Sequence, residues 1–272
     1  MARLARNRGW VMRAVAAAFA LAFALVAYTY VTLPDVRQLA RTNPTSTAFM
    51  ELRAAEARAQ GRKVRRVQRW VPYRRISPHL KRAVIVSEDS AFFAHEGIDV
   101  EQIRKALEDA LEKGDAPRGA STITQQLAKN LYLSPSRNPL RKLRELIITR
   151  RLEAALPKAR ILEIYLNVVE WGDGIWGAEA ASRVYFGVPA SGLSRAQAAL
   201  LAGALINPIR YSPRRPPSRL LRRQQIILSR MGGVEPPPAA PDLDPEPAPE
   251  PPPEPVAQTP EAPVAPPEPS QP

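Results

Sequence analysis

Cysteine is absent from this chain of 272 residues. The absence excludes a disulfide framework, a thiolate metal site and a cysteine nucleophile. It is compatible with an oxidising compartment but does not by itself identify one. The chemistry of the protein must therefore come from other residue types.

Charged residues are absent from the 20-residue run between Ala14 and Leu33. As a helix rising ~1.5 Å per residue, this run covers a hydrocarbon core of ~30 Å. Residues 1–13 contain four arginines and no acidic residue, so the positive-inside bias predicts a cytoplasmic N-terminus. A cleaved signal peptide is the alternative, but a convincing small-x-small cleavage site is missing. We expect a single-pass protein of the cytoplasmic (inner) membrane whose bulk is periplasmic or otherwise extracytoplasmic.

Lysine and arginine are absent beyond residue 230, although the chain contains 39 of them. Eight acidic residues lie in this tail: Glu235, Asp242, Asp244, Glu246, Glu250, Glu254, Glu261 and Glu268. Residues 1–234 therefore carry 39 basic and 18 acidic residues, a formal charge of +21. Such a basic unit beside a membrane would attract anionic headgroups or a phosphorylated substrate. We expect no nucleic-acid partner, because no nucleic-acid-binding module is recognisable.

Seventeen of the 30 prolines also lie in the tail, interleaved with alanine and glutamate. This composition predicts a disordered, extended polyproline-type segment, with a spacer as the default role and a ligand for a recognition domain as the alternative. The predicted organisation is a basic N-terminus at 1–13, an anchor at 14–33, a charged helix-prone connector at 34–69, a folded domain at 70–232 and the disordered tail at 233–272.

Convincing alternating strand patterns are missing from the folded unit, and helical patterns dominate it. Asp99 followed by Gln102 predicts a capped helix start, and Gly114 predicts its end. The apolar stripe of this helix consists of Ile103, Ala106, Leu107, Ala110 and Leu111. Further helices are predicted near 122–131, 140–156, 158–168, 177–185, 195–206 and 219–230. The predicted fold class is mainly α.

Polar residues share one face of the helix predicted to begin at Thr122. Steps of three and four residues align Thr122, Gln125, Gln126 and Lys129. Hydroxyl and amide groups at a helix start, with an ammonium two turns on, are groups that bind phosphate or pyrophosphate. A single capped helix start is common, and it is the combination with Lys129 that favours an anion site.

Two further charged residues share a face of the next helix. Arg141 and Glu145 are four residues apart. Most such pairs are solvated surface contacts worth about 0.3 to 0.5 kcal/mol. Their significance here depends on the neighbouring motifs.

Together, these segments closely resemble the peptidoglycan glycosyltransferase family, whose members have a lysozyme-like fold, and the match extends over roughly residues 70–213. The shared patterns are Glu-Asp-x-x-Phe-x-x-His-x-Gly at 88–97, Gly-x-Ser-Thr-Ile-Thr-Gln-Gln-Leu-x-Lys-Asn at 119–130, Arg-Lys-x-x-Glu at 141–145, Lys-x-x-Ile-Leu-Glu-x-Tyr-Leu-Asn at 158–167 and the glycine-rich and Asn-Pro segments downstream. The size, the single anchor and the Trp-Val-Pro lead-in at 70–72 are similar to the monofunctional branch.

The resemblance implies polymerisation of lipid II into β-1,4-linked glycan strands, with inversion and release of undecaprenyl diphosphate. Glu88 would be the general base that takes the proton of the acceptor 4-hydroxyl. Lys129 and Arg141 would neutralise the departing pyrophosphate, and Glu145 would be a second catalytic carboxylate that orients Arg141. A divalent cation, Mg²⁺ or Mn²⁺, at Glu145 is a further option, and no other cofactor is expected.

The remaining motif residues would have supporting roles. The residues expected to line the substrate site are Ser121, Thr122, Gln125, Gln126 and Asn130. The residues expected to hold the first motif in shape are Asp89, Phe92, His95 and Gly97. The expected partners are lipid II, the growing lipid-linked glycan and membrane lipids, and other cell-wall synthesis or division proteins are further candidates.

Two alternatives remain open from the sequence. A lysozyme-type glycoside hydrolase also uses a glutamate on an α fold, but a pair of cations such as Lys129 and Arg141 would contribute little to its reaction. A scaffold that binds lipid II without catalysis would be expected to have lost a motif residue, whereas Glu88, Lys129, Arg141 and Glu145 are all present.

Overall fold

The computed structural model describes residues 2–114, 119, 121–136 and 138–233; within the first helix, the side chains of residues 2–9, 11, 22, 25 and 29 are outside this description. The predicted tail at 233–272 thus lies outside the described residues except for Gly233. The helices are α1 (Ala2–Val31), α2 (Ala48–Ala59), α3 (Pro78–Glu88), α4 (Val100–Lys113), α5 (Ile123–Tyr132), α6 (Pro139–Ala155), α7 (Lys158–Val168), α8 (Ala178–Phe186), α9 (Arg195–Ala204) and α10 (Ser218–Arg230). The strands are β1 (Val67–Gln68), β2 (Glu170–Gly172) and β3 (Ile175–Trp176).

The helix boundaries follow from local capping chemistry. Asp99 accepts a hydrogen bond from the backbone N–H of Gln102 at the start of α4, and Gly114 ends that helix in the left-handed conformation. Ser194 and Gln197 form a complete capping box at the start of α9. The prediction of a mainly α fold is confirmed, and the predicted helices lie within two residues of those observed.

Helix α3 and the small sheet were not predicted. In α3 the residues Leu80 and Ala83 to Val86 are all buried, so the helix is apolar on several faces and has little amphipathic periodicity. The strands contain only two or three residues, which is too short for an alternating pattern. They pair in the order β1-β3-β2, with β1 parallel and β2 antiparallel to β3.

The core forms around α7, whose residues from Ala159 to Val168 are all buried. Helix α5 lies against α6, α7 and α2, while α3 lies against α9 and α10. The two groups of helices meet where the C-terminal end of α3 approaches α5. This contact brings the first two sequence motifs together.

The segment at 34–69, expected as a connector, packs on the same core. Val36, Leu39 and Met50 are buried within it. Arg160 of α7 donates hydrogen bonds to the carbonyl of Leu39 at 2.9 Å and to Oδ1 of Asn43 at 2.7 Å. The composition is charged, but buried hydrogen bonds of this kind attach the segment to the domain.

The apolar stripe of α4 faces outward rather than into the core. Ala110 is buried, whereas Leu107 and Leu111 are 51% and 77% exposed. In the described part of the chain, no helix combines the length and the apolar character needed to cross a membrane. The predicted anchor at 14–33 is therefore not confirmed.

The last residue of the fourth motif, Asn167, joins α7 to the chain that enters the domain. Its side chain is fully buried, accepts a hydrogen bond from the N–H of Val71 at 2.9 Å and donates to the carbonyls of Val71 and Glu163, each at 2.9 Å. These bonds satisfy backbone groups that no solvent can reach.

We predict that Asn167→Ala lowers the free energy of unfolding by about 2 to 4 kcal/mol, because the buried N–H and carbonyl of Val71 lose their partner. Chemical denaturation of the detergent-solubilised protein measures the change. The control is Gln68→Ala, which removes a half-buried contact to the carbonyl of Asn167 and should cost less than about 1 kcal/mol. Equal losses in the two variants would contradict the prediction.

Candidate active site

Glu88 is the last residue of α3, and its side chain is 13% exposed. Its Oε1 accepts a hydrogen bond from the hydroxyl of Ser87 at 3.0 Å, and its Oε2 accepts one from Nε2 of Gln126 at 3.1 Å. The carboxylate is thus held from two sides while part of it stays accessible. Such a group can accept a proton from a bound hydroxyl.

Arg223 of α10 approaches the same carboxylate oxygen that Ser87 contacts. Its Nη2 lies 3.6 Å from Oε1 of Glu88 and donates to the hydroxyl of Ser87 at 3.1 Å. The guanidinium therefore acts on Glu88 both directly and through Ser87.

The amide of Gln126 is fixed in one orientation by Tyr165. The Tyr165 hydroxyl, in a fully buried side chain, donates to Oε1 of Gln126 at 2.9 Å, which leaves Nε2 to donate to Glu88. Burial, and then the charges of Glu88 and Asp89, raise the pKa of Tyr165 well above its ordinary value. The phenol therefore stays protonated and remains a donor.

Asp89 points away from Glu88 and is 1% exposed. Its Oδ2 accepts the backbone N–H of Ile123 at 3.0 Å, and its Oδ1 lies 2.9 Å from Nε2 of His95. His95 Nδ1 accepts the N–H of Gly97, so the hydrogen of the ring lies on Nε2 and is donated to Asp89. The two adjacent carboxylates therefore have separate environments.

The start of α5 differs from the sequence-based expectation of a substrate-anion site. The N–H of Ile123 is occupied by the chain's own carboxylate, Asp89. Thr122 and Gln125 form a capping box with each other, and the Thr122 hydroxyl donates to the carbonyl of Gly97 at 2.7 Å. Both side chains are buried, so they serve the helix start rather than line an open surface.

The remaining predicted site residues, which are Phe92, Gly97, Ser121 and Asn130, each have a different environment. Phe92 is fully buried beneath the Lys158 ammonium, 4.5 Å from the ring centroid. Gly97 has φ +82°, and a Cβ there would lie 2.6 Å from Cγ2 of Thr149, so both conformation and space require glycine. Ser121 is exposed, and Asn130 donates to the carbonyl of Gln126 at 2.9 Å within α5.

A cationic cluster lies next to Glu88, where α5 and α6 meet. Arg141 Nη1 contacts Glu145 Oε2 at 2.5 Å, and Lys142 pairs with the other oxygen of this carboxylate. Lys129 has no hydrogen bond or ion pair within the described residues. Burial lowers the pKa of Lys129 below 10.5, and Glu145 opposes this effect while Arg141 and Lys142 add to it.

The cluster therefore has a surplus of positive charge. Three cations, Lys129, Arg141 and Lys142, surround the buried carboxylate of Glu145. Arg141 also lines a cleft of about 410 Å³, together with Tyr28, Tyr132, Leu140 and Arg144. Partly buried cations with one shared counter-ion are suited to bind an anion that enters from solvent.

A divalent cation does not fit Glu145. Both oxygens of this carboxylate already have cationic partners, and Lys129 adds a third positive charge nearby. In the described residues, one group of possible ligand atoms lies within 4.8 Å, from Asp89, His95 and Asp99. Asp89 and His95 are hydrogen-bonded to each other, Nδ1 of His95 accepts the N–H of Gly97, and Oδ1 of Asp99 accepts the N–H of Gln102. Neither group has a free ligand set for a metal ion.

Sequence reasoning did not single out Ser87, Tyr165, Lys142 or Arg223 as site residues. Ser87 and Lys142 lie beside motif residues, so proximity in the chain was a usable signal. Tyr165 lay within a recognised pattern but was read only as part of that pattern. Arg223 lies 135 residues after Glu88 on a basic amphipathic helix, and only the packing of α3 on α10 reveals the contact.

Comparisons with known proteins identify the family of this chain. The family model described as transglycosylase matches residues 55–232. Similar curated proteins include three that are named biosynthetic peptidoglycan transglycosylase. The protein of Laribacter hongkongensis is 48% identical over 228 residues, which is 84% of this chain and 99% of the relative. The protein of Nitrosospira multiformis is 50% identical over 72% of this chain and 85% of the relative. That of Aromatoleum aromaticum is 55% identical over 70% of this chain and 82% of the relative.

The family model includes the cluster around Glu88, the cations of α5 and α6, and Arg223 of α10. It also covers well over half of the chain. The family-level prediction made from the motifs is thus confirmed, and this chain belongs to the transglycosylase family.

Proposed function

We propose that this protein is a peptidoglycan glycosyltransferase that joins lipid-linked disaccharide-peptide units into β-1,4-linked glycan. The family match and the names of the relatives support glycan-strand synthesis. The observation that carries the mechanism is the juxtaposition of a held, partly accessible carboxylate and a cluster of cations. The carboxylate is Glu88, and the cations are Lys129, Arg141 and Lys142.

Glu88 acts as the general base. It takes the proton of the acceptor 4-hydroxyl as that oxygen attacks the anomeric carbon of the donor, and the bond from this carbon to the pyrophosphate oxygen breaks. Attack from the opposite face converts an α-linked pyrophosphate into a β-glycoside. Gln126 and Arg223 orient the carboxylate for this transfer, since hydrogen bonding and a nearby cation restrict where its oxygens lie.

The cationic cluster binds the leaving group. Polyprenyl pyrophosphate departs as an anion, so the developing charge needs neutralisation more than a proton. Lys129 is the candidate for the direct contact, because its ammonium makes no hydrogen bond or ion pair in the described part of the chain, although it lies 5.8 Å from the centroid of the Phe49 ring. Arg141 contributes further positive charge, and Glu145 holds Arg141 and Lys142 in position.

The carboxylates favour transfer over hydrolysis. A glycoside hydrolase needs a protonated acid and a second carboxylate facing the scissile bond, with the two groups about 5 to 9.5 Å apart. Asp89 is committed to Ile123 and His95, and Glu145 is paired with two cations. In the described residues neither is free for that role. The same intact set of charged groups argues against a scaffold without activity.

The membrane topology is part of the proposal. A single anchor at 14–33, with the N-terminus in the cytoplasm and the domain in the extracytoplasmic space, would keep the site near a lipid-linked substrate. The uncharged run of 20 residues and the arginines before it support this topology. Phe19, Leu21 and Phe23 of α1 are each more than 70% exposed, as expected for side chains that contact lipid.

We predict that Glu88→Gln lowers the polymerisation rate by about 10² to 10⁴-fold, because the amide cannot take the acceptor proton. The rate is measured from gel-resolved products of a fluorescent lipid-linked disaccharide-peptide. The control is Glu96→Gln, which changes a carboxylate that is 81% exposed in the loop after α3 and should keep the activity. Near-normal turnover by a folded Glu88→Gln protein would remove Glu88 from the base role.

We predict that Arg223→Gln lowers kcat about tenfold with little change in KM, because Arg223 positions Glu88 instead of binding substrate. Arg223→Lys should recover part of the loss, since it keeps the charge near Glu88. Steady-state kinetics and thermal melting are measured on all three proteins. A rise in KM at constant kcat would instead make Arg223 a substrate-binding group.

A further prediction concerns the pH dependence of the rate. Lys129 must be protonated to neutralise pyrophosphate, and burial lowers its pKa, so its proton is lost at a lower pH than that of an ordinary lysine. As the pH rises, the polymerisation rate should therefore begin to fall at a lower pH than expected for a lysine with a pKa of 10.5. In Lys129→Arg the cation persists, and the alkaline limb of the pH–rate profile should move to higher pH. Identical limbs in the two active proteins would assign the titration to another group.

A further inference from the structure

The last part of the chain separates its charges into two blocks. Residues 180–234 contain nine arginines and no acidic residue, and residues 235–272 contain eight acidic residues and no basic one. The two blocks are adjacent in sequence. Opposite charges so arranged favour an intramolecular contact, provided that the basic block offers a surface with unpaired cations.

Such a surface lies on α10. A cleft of about 460 Å³ is lined by Ile206, Tyr211, Arg219, Arg222, Arg223 and Ile226. Arg219 and Arg222 are exposed, and their side chains make no ion pair or hydrogen bond to any residue that the structure describes. Nε of Arg223 is buried and also has no partner there. The cleft thus combines a cationic rim with aromatic and aliphatic walls.

We propose that the acidic, proline-rich tail of this chain, residues 235–272, docks in the α10 cleft. Proline-rich segments bind aromatic-lined grooves in an extended conformation, and their carboxylates would pair with Arg219 and Arg222. The tail has both properties in one sequence, because Asp242, Asp244 and Glu246 each lie next to a proline.

The length of the tail permits this contact. It follows the short 3₁₀ turn Met231–Gly233 directly after α10. The distance back along the helix from Arg230 to Arg219 is about 17 Å at ~1.5 Å per residue. An extended polyproline-type chain covers that distance with about six residues at ~3.1 Å each. Asp242, Asp244 and Glu246 are therefore within reach, and the tether gives an effective concentration of roughly millimolar.

The tail is also a feature of this chain rather than of the shared fold. The family model ends at residue 232. The match to the Laribacter hongkongensis protein covers 99% of that relative but only 84% of this chain. A contact between the tail and α10 is thus not required for the transglycosylase fold, which leaves it available for control of the site.

Docking has a consequence for catalysis, and this consequence alone rests on the proposed function. Arg223 lines the cleft and lies 3.6 Å from Glu88. A docked tail would bring carboxylates close to the base and would compete, through their charge, with an anionic substrate for the positive potential around Arg223. Salt weakens such pairing over a Debye length of about 10 Å at 0.1 M.

Fluorescence energy transfer within the full-length protein tests the docking. Because the chain has no cysteine, Ser218→Cys at the start of α10 and Ala248→Cys in the tail can carry a dye pair. In neutral detergent at low salt we expect high transfer. Replacing all eight tail carboxylates by amides should lower the transfer about twofold, because the freed tail samples more extended states.

Two further variants locate the docking surface. Arg219→Gln with Arg222→Gln should lower the transfer as much as the neutralised tail does. Arg58→Gln with Lys105→Gln removes two exposed charges elsewhere and should leave it unchanged. Melting curves confirm that each protein is folded, and the neutralised tail keeps the test valid if the arginine variant does not fold.

Equal transfer in the wild-type and neutralised-tail proteins would overturn the docking. If Arg219→Gln with Arg222→Gln then also lost binding to phosphatidylglycerol vesicles, the cleft would be a lipid-headgroup site instead.

The competition between the docked tail and the substrate has a separate test, which is the polymerisation rate of a chain that ends at Gly233. It should exceed the full-length rate severalfold at low salt and equal it at high salt. Equal rates at both salt concentrations would overturn the competition and leave the docking result standing.

Discussion

The carboxylate of Asp89 connects the parts of this structure that the active site needs. It accepts the first N–H of α5 and the ring hydrogen of His95, while its neighbour Glu88 ends α3. The contact is buried, where a charged acceptor and a helix start stabilise each other most. As a result α3 and α5 meet at a fixed angle. Gln126 is thereby brought to Glu88, and Lys129 lies one helical turn further on.

The site separates two kinds of charge. Glu88 is held by neutral donors and one arginine, which suits a group that must gain and lose a proton. The cluster of Lys129, Arg141 and Lys142 surrounds Glu145 and keeps a net positive charge. The proposed base and the proposed leaving-group site therefore lie on different helices, and both are contacted by residues of α5. This division is what an inverting transfer from a pyrophosphate donor requires, because the attacking and departing groups lie on opposite sides of the anomeric carbon.

Much of the fold was accessible from the sequence because its helices carry strong local signals. Asp99 and Gly114 mark α4, and Ser194 with Gln197 marks α9. Helix α3 gave no such signal, since a helix buried on several faces loses its amphipathic period. The exposure of the apolar stripe of α4 could not be predicted either. Periodicity shows that apolar residues share one face of a helix, but it does not show whether another element packs on that face.

For the candidate site, the sequence indicated which residue types are present but not which contacts each of them makes. Thr122 and Gln125 are the right residue types for an anion site, yet they cap α5 and are buried. A helix start can bind a ligand only where its N–H groups do not already have partners in the protein. Here the carboxylate of Asp89 accepts the N–H of Ile123 at the start of α5. Arg223 was not predicted as a site residue. Its contact with Glu88 is made by packing between distant segments, which local sequence does not encode.

The central claim is that this arrangement transfers glycosyl units instead of hydrolysing them. The most direct measurement is to incubate the detergent-solubilised full-length protein with fluorescent lipid-linked disaccharide-peptide and to separate the products by gel. We expect a ladder of polymers that a muramidase digests. Release of free disaccharide-peptide without any ladder, from protein shown to be folded, would contradict it.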